Sequence, residues 1–164
     1  MILDINTEAR QEILDAVSGL SDEVLNKKVE EDRWSIMQVL EHLYLIEKAV
    51  THSIADQIEN GENKEVSKKP IEMSVDRSTK AEAPSFAQPS NEFITLNEMK
   101  EKLAASRADL TKLAESAEAK ILEQRTYPHP AFGDLSLKQW IPFIGYHEKR
   151  HLKQIEEVKQ ELVR

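Results

Sequence analysis

The residues from Leu137 to Leu162 constrain this chain more than any others. Apolar side chains fall at Leu137, Ile141, Ile144, Leu152, Ile155, Val158 and Leu162. That spacing has a period of roughly 3.6 residues, the mark of a helix with one buried face. Ser136 followed by Gln139 has the form of a capping box at its start. His147 and His151 are four apart and so project from one face. On a helical wheel that face overlaps the stripe of Trp140, Ile144, Ile155 and Val158. Imidazoles directed into a helical core need partners, because an unpaired buried polar ring is costly. A divalent metal would satisfy both at once. A hydrogen-bonded core histidine, or a chance pairing on a surface helix, accounts for the pair equally well. A third ligand from elsewhere has to decide between them. Pro142 lies one turn before His147, where loss of a backbone bond can kink the helix and aim the two rings.

At 164 residues a single domain, 1–164, is expected, with enough chain to bury a sizeable core. Only 4 glycines and 5% aromatics, against abundant Ala, Leu, Glu, Lys and Gln, lean the chain to helix. The net charge of −8 argues against nucleic acid as a partner, since phosphate binding needs a concentrated basic surface. The absence of cysteine excludes disulfides, thiolate nucleophiles and zinc–cysteine sites. Met1–Asn6 has neither a basic region nor an apolar run, and no window approaches the ~20 apolar residues of a membrane span. A cytoplasmic protein with no membrane partner is the resulting expectation.

Ala9, Ile13, Leu14, Val17 and Leu20 define a first helix from Thr7, a candidate cap, to Leu20. Ser35 with Gln38 is a second capping-box signature, opening a long helix to about Asn60. Its stripe is Ile36, Val39, Leu40, Leu43, Ile46, Val50 and Ile54, with His42 on the shoulder and His52 facing elsewhere. Gly61 is expected to end it with positive φ. The stretch from Gly61 to Glu92 lacks periodicity and is too long for an ordinary loop, which points to a crossover or lid. Its first half, Lys64 to Lys69, is expected to be mobile, and Ala83–Pro89 to pack on the domain. A third long helix runs from Thr95 to Ala119, with Arg107 at the stripe's border and its charge in water. Pro128 and Pro130 break helix, His129 between them reads as a surface residue, and Phe132–Leu135 reads as a turn. The result is an all-α chain of four substantial helices, with a long connection between the second and third.

Residues 147–151 spell His-Glu-x-x-His, the zinc-protease motif, with Glu148 in the place of the general base. The context is against a protease. No histidine follows His151, and the glycine-containing extension is missing, with Gln154 and Glu157 at the relevant places. Glu156 and Glu161 lie too close on the same helix to complete a site. Glu148 is left without a role.

A helix opening Trp34-Ser35-Ile36-Met37-Gln38-Val39-Leu40-Glu41-His42-Leu43, a long connection, and Phe132-Gly133-Asp134-Leu135-Ser136-Leu137 leading to His147-Glu148-Lys149-Arg150-His151 together resemble the DinB-like family. The likeness extends over most of the chain through helix order and spacing. It implies a four-helix bundle with a crossover connection, and a divalent ion, zinc or nickel, held by His42, His147 and His151. Three neutral imidazoles would leave a position open for water or substrate. Gln38 and Gln154 are candidates to fix the ring tautomers. Two activities are implied: transfer of a low-molecular-weight thiol such as bacillithiol to an electrophile, and hydrolysis by a metal-bound water. A non-catalytic metal-binding or stress-related interaction module is the third reading. The implied partner is a small-molecule substrate, and family members often form homodimers. Trp34, Trp140, Phe143 and Tyr146 are candidates to wall a pocket, and Arg150 to meet an anionic substrate group. Ordinary core packing is the alternative for the tryptophans, and a solvated face for Arg150.

Overall fold

Each long apolar period in the sequence becomes a helix of the computed structural model, which describes residues 1–78 and 81–163. Four long helices, α1 (Asp4–Val17), α3 (Ile36–Asn60), α4 (Leu96–Ser116) and α6 (Leu137–Leu162), form the bundle. Two short ones, α2 (Asp22–Leu25) and α5 (Ala119–Gln124), sit in the connections. Helix α6 packs on both α1 and α3, and α3 packs on α4. Gly145 permits a close approach of α6 to α1: a Cβ there would lie 2.8 Å from the Asn6 backbone nitrogen. The connection from α3 to α4 is the expected crossover. It carries short 3-10 turns at Ile71–Val75 and Ser85–Ala87.

Several local expectations change. Helix α1 starts at Asp4, and Thr7 is inside it, its hydroxyl bonded back to the Leu3 carbonyl at 3.1 Å. It stops at Val17, and Gly19 turns the chain with φ of +80°. Gly61 is not left-handed: its φ is −77°. The Gly61 N–H still donates to the Gln57 carbonyl at 2.9 Å, and Arg125 donates to the Gln57 and Ile58 carbonyls at the end of α3. Ser35 and Gln38 form the full capping box. At α6 only half of it forms. The Ser136 hydroxyl accepts from the Gln139 backbone, but the Gln139 side chain turns to both backbone groups of Lys69, at 2.9 and 2.8 Å. The Lys64–Lys69 segment expected to be mobile is thereby tied down at Lys69, and also at Lys64, whose N–H donates to the Gln124 carbonyl at 2.7 Å.

Residues 126–136 are not a loop and turn. They form an antiparallel hairpin, β1 (Thr126–His129) and β2 (Gly133–Ser136), with Thr126 opposite Ser136 and His129 opposite Gly133. Four-residue strands are too short to show alternation. In a two-stranded ribbon each strand is an edge, where Pro128 can be accommodated. Gly133, with φ of +71°, turns the chain into β2.

The apolar core is split in two. One cluster gathers Ile13, Val17, Leu40, Leu103, Ile155 and their neighbours, and the other Ile54, Leu110, Leu137, Ile141 and theirs. Between the clusters each long helix contributes polar residues: Arg10 on α1, Glu47 on α3, Ser106 and Arg107 on α4, and His147, Glu148 and His151 on α6. Arg10 bonds Glu148 at 2.7 Å and Glu47 at 3.1 Å, while Arg107 bonds Glu47 at 2.6 Å and also Glu148. Two guanidiniums and two carboxylates therefore alternate across all four helices. Ser106 adds a bond to Glu47 at 2.5 Å. The remaining donors reach carbonyls on the opposite helix, Arg10 to Leu103 at 3.0 Å and Arg107 to Asn6 at 2.9 Å. Arg107, expected in water, is instead part of this closed set, with a side chain only 15% exposed.

Candidate metal centre

The three histidines singled out in the sequence meet. His42 comes from the second turn of α3, where the Ser35–Gln38 cap sets the start of the helix and so the direction of each later side chain. His147 and His151 are successive turns of α6. Their ring centroids are 4.6 Å apart, and His42 lies 5.1 and 4.8 Å from them. One ligand nitrogen from each can be chosen so that all lie within 4.8 Å of one another. His42 and His151 are buried and His147 is half-buried.

Two of the rings have a fixed tautomer. The Nδ1–H of His42 donates to the Ala87 carbonyl at 2.8 Å, and that of His151 to Gln154 Oε1 at 2.8 Å. Each Nε2 therefore carries a lone pair. His42 Nε2 is 3.3 Å from His147 Nε2. Two nitrogens, each ~2.0–2.1 Å from a tetrahedral ion, stand about 3.3 Å apart, so this pair already has the spacing of one edge of such a site. Burial is the main cause that pushes all three imidazoles below their ordinary pKa, His151 to about 3. For His147 the neighbouring rings of His151 and His42 add to it. All three are therefore neutral, the form that ligates metal. The cluster is compatible with a divalent ion.

Gln154 is in the orienting place expected of it. Gln38 is not: its amide oxygen completes the cap and its nitrogen reaches the Ser90 carbonyl at 3.0 Å and Asn91 at 3.2 Å. Its orienting task falls to the Ala87 carbonyl from the crossover. No sequence signal could have found this, since every residue carries a carbonyl. The expectation that Ala83–Pro89 packs on the domain holds at Ala87, which is fully buried, while Phe86 is 60% exposed.

Glu148 cannot serve these rings as a base. It is 1% exposed and its carboxylate is turned away from the rings to Arg10 and Arg107, which hold it. Burial raises its pKa and the two guanidiniums oppose that rise.

Of the four aromatic candidates, Trp34 and Phe143 flank the cluster directly, 5.0 Å from His42 and 5.8 Å from His147. Trp140 stands one layer out, on Phe143, with its indole N–H on the Tyr127 carbonyl at 2.8 Å. Tyr146 is half-buried against the second core cluster. His129 is not a plain surface residue. It lies against Phe143 at 4.6 Å and Trp140 at 5.0 Å, its Nδ1 accepts from the Ala131 N–H at 2.9 Å, and burial lowers its pKa to about 4. His52 is exposed and outside the cluster. Arg150 is half-buried, not fully solvated: it donates to the Ser74 carbonyl at 3.2 Å and to that of Asp76.

Among the described residues, no helix is long and apolar enough to cross a membrane. The crystal structure of TT2238, a four-helix bundle protein, superposes with a TM-score of 0.65 over 95% of this chain and 96% of that one. At 20% identity this likeness shows the fold alone. A Bacillus subtilis (strain 168) protein, named "Uncharacterized protein YuaE", is 40% identical over 162 residues, which is 99% of each chain. The family model of the DinB superfamily matches residues 6–155, across α1, the crossover and both histidine-bearing helices; the chain belongs to the DinB superfamily.

Proposed function

We propose that His42, His147 and His151 hold a divalent ion, zinc or nickel, and that the protein is a metal-dependent enzyme transferring a low-molecular-weight thiol to an electrophile. The observation that carries this is the convergence of the three rings, two of them with Nδ1 committed to an acceptor and Nε2 left as a lone pair. A cation between these nitrogens would engage their lone pairs at once. When bound, the ion would supply Lewis acidity, which stabilises a thiolate or polarises a substrate oxygen.

The surroundings favour thiol transfer over hydrolysis. Hydrolysis benefits from a carboxylate poised as general base, yet the cluster consists of histidines alone among the described residues, and Glu148 is locked away behind it. A thiol, more acidic than water, needs less help in losing its proton. The chain has no cysteine, so the sulfur has to come from a separate molecule. Trp34 and Phe143 offer apolar walls for an electrophile and limit water.

The test is metal content by mass spectrometry on untagged protein, beside His42→Ala and His147→Ala. Near-stoichiometric metal in the wild type, lost in both variants, followed by metal-dependent thiol transfer, is expected. Metal-dependent ester hydrolysis with no thiol dependence would replace this reading by a hydrolase. Absence of metal after reconstitution would remove the enzyme reading.

A further inference from the structure

Around the bundle, α1 packs on α6, α6 on α3 and α3 on α4, but α1 and α4 do not close on one another. They run antiparallel and are tied by two long side chains, Arg10 reaching the Leu103 carbonyl at 3.0 Å and Arg107 that of Asn6 at 2.9 Å. Over this seam lies an open groove of about 980 Å³, which none of the three histidines lines. Its two ends differ in character. Leu14, Leu103 and Ala104 make one end apolar, whereas Arg107, Thr111 and Lys112 make the other polar. Ala104 and Ala108, one turn apart and exposed, keep the floor between them low. The chain carries a net charge of −8, yet Arg10, Lys100, Arg107 and Lys112 line this groove against a single acid, Glu115, among the described residues. Glu47 and Glu148 neutralise the two guanidiniums from beneath, so nothing is needed there for charge balance. A guanidinium nevertheless has five N–H groups, and each of these makes three bonds, which leaves two on each for a further acceptor. Lys100, Lys112 and the Thr111 hydroxyl have no polar partner among the described residues.

We propose that the α1/α4 groove is a second binding site, for a single-chain anionic amphiphile of the fatty-carboxylate class. Its carboxylate lies at Arg107, Thr111 and Lys112, and its alkyl chain runs over Ala108 and Ala104 towards Leu103 and Leu14. The groove is itself amphipathic along its length, with donors at one end and apolar side chains at the other, as such a ligand requires. Twelve residues of α4 separate Lys100 from Lys112, a run of about 18 Å at the helical rise, which suits an alkyl chain of medium length. The stem of Lys100 can cover the end of that chain while its ammonium stays in water. The charge at the polar end favours a monoanion. Arg107 is already paired there, so Lys112 supplies the one uncompensated positive charge, and Glu115 one turn further on opposes a dianion such as a phosphate monoester. This site stands independently of the metal centre and of the reaction assigned to it.

The experiment titrates the full chain, labelled with nitrogen-15, with decanoate below its micelle concentration and follows the backbone amides. Decyltrimethylammonium, with the same tail and the opposite charge, is titrated beside it. Amide shifts are expected at Leu14, Ala104, Ala108 and Lys112, with decanoate held about tenfold more tightly than the cation, as one charge-assisted bond predicts. Lys112→Glu should weaken decanoate about tenfold, and Ala108→Glu, which sets a charge on the exposed floor, should abolish the shifts. Lys68→Glu makes the same change of net charge at an exposed lysine of the crossover and should leave affinity as it was. Urea midpoints equal to that of the wild type show that the variants are folded. Equal affinity for the two amphiphiles, or an undiminished decanoate affinity in Lys112→Glu, would overturn the proposal. So would shifts confined to Phe143, His147 and His151, which would place decanoate at the histidines. A wild-type dimer that Ala108→Glu splits, with no response to decanoate, would give the groove to a second copy of the chain and overturn it as well.

Discussion

His147 and Glu148 are neighbours in sequence and lie in two opposite electrostatic situations. Glu148 looks into a set of two carboxylates and two guanidiniums in which each charge faces its opposite and the sum is zero. His147 looks at two further imidazoles, all pushed to the neutral form, whose ligand nitrogens converge. The first set is complete without anything added. The second is compatible with a divalent cation from outside. A buried polar cluster can thus be judged by whether its donors and acceptors balance internally, and the proposed metal site is the cluster whose balance depends on an added cation. The literal His-Glu-x-x-His motif hides this difference, because on a helix adjacent residues point about 100° apart.

The largest test of the contrast is Glu148→Ala. It leaves two buried guanidiniums facing one carboxylate, and about 3–5 kcal/mol of stability should disappear from denaturant unfolding of the metal-free protein. Glu148→Gln, a milder change, should fold and keep its zinc affinity; if it loses zinc while unfolding normally, the two regions are one site. Next comes metal-linked stability. At zinc about 100-fold above its dissociation constant the wild type should gain about 2.7 kcal/mol, and His42→Ala and His147→Ala should gain none. An equal gain in either variant would place the metal elsewhere.

A smaller effect is expected at Gln154→Leu, which removes the acceptor that holds the His151 ring. Metal affinity should fall about 10–100-fold with the fold intact, read by competition with a chromogenic chelator. Unchanged affinity would mean that packing alone orients His151. The mildest test concerns acid. His129 titrates near 6.5 in an unfolded chain and at about 4 in the fold. As pH falls from about 6.5 towards about 4 the unfolded chain takes up the proton first, so stability drops through that window and levels off below it. His151, at about 3, extends the loss further. In His129→Phe, the slope of urea midpoint against pH for the metal-free protein should be shallower. An identical slope would assign the acid response elsewhere, with the carboxylates as the next place to look.

The bundle was readable in the sequence because it rests on long-range regularities along single helices, while the histidine triplet was implied by the resemblance to the DinB-like family. Seven apolar positions over α6, or seven over α3, outvote local noise, and His42, His147 and His151 stand at fixed angles to those stripes. Short elements lack that averaging. The β1–β2 hairpin, with two prolines nearby and four residues per strand, left no pattern to read. Gly61 and the Ser136–Gln139 box went astray for a different reason: each helix end takes a partner distant in sequence, Arg125 in one case and Lys69 in the other. Arg107 was misplaced for the same cause. A cation on the border of an apolar stripe is solvated unless carboxylates arrive from two other helices, as Glu47 and Glu148 do.

By itself the sequence determined the helical class, the long crossover and the face of α6 that turns two imidazoles inward, because backbone geometry converts residue spacing directly into direction. The tertiary structure alone decided what those side chains meet. It brought the Ala87 carbonyl to His42, turned Glu148 away from the histidines into a neutral quartet, and set Arg77 beside Gln154. The physical reason is that pairing energies depend on distance between groups far apart in the chain. Spacing along one helix carries no information about which charge, or which carbonyl, the next helix and the crossover will bring.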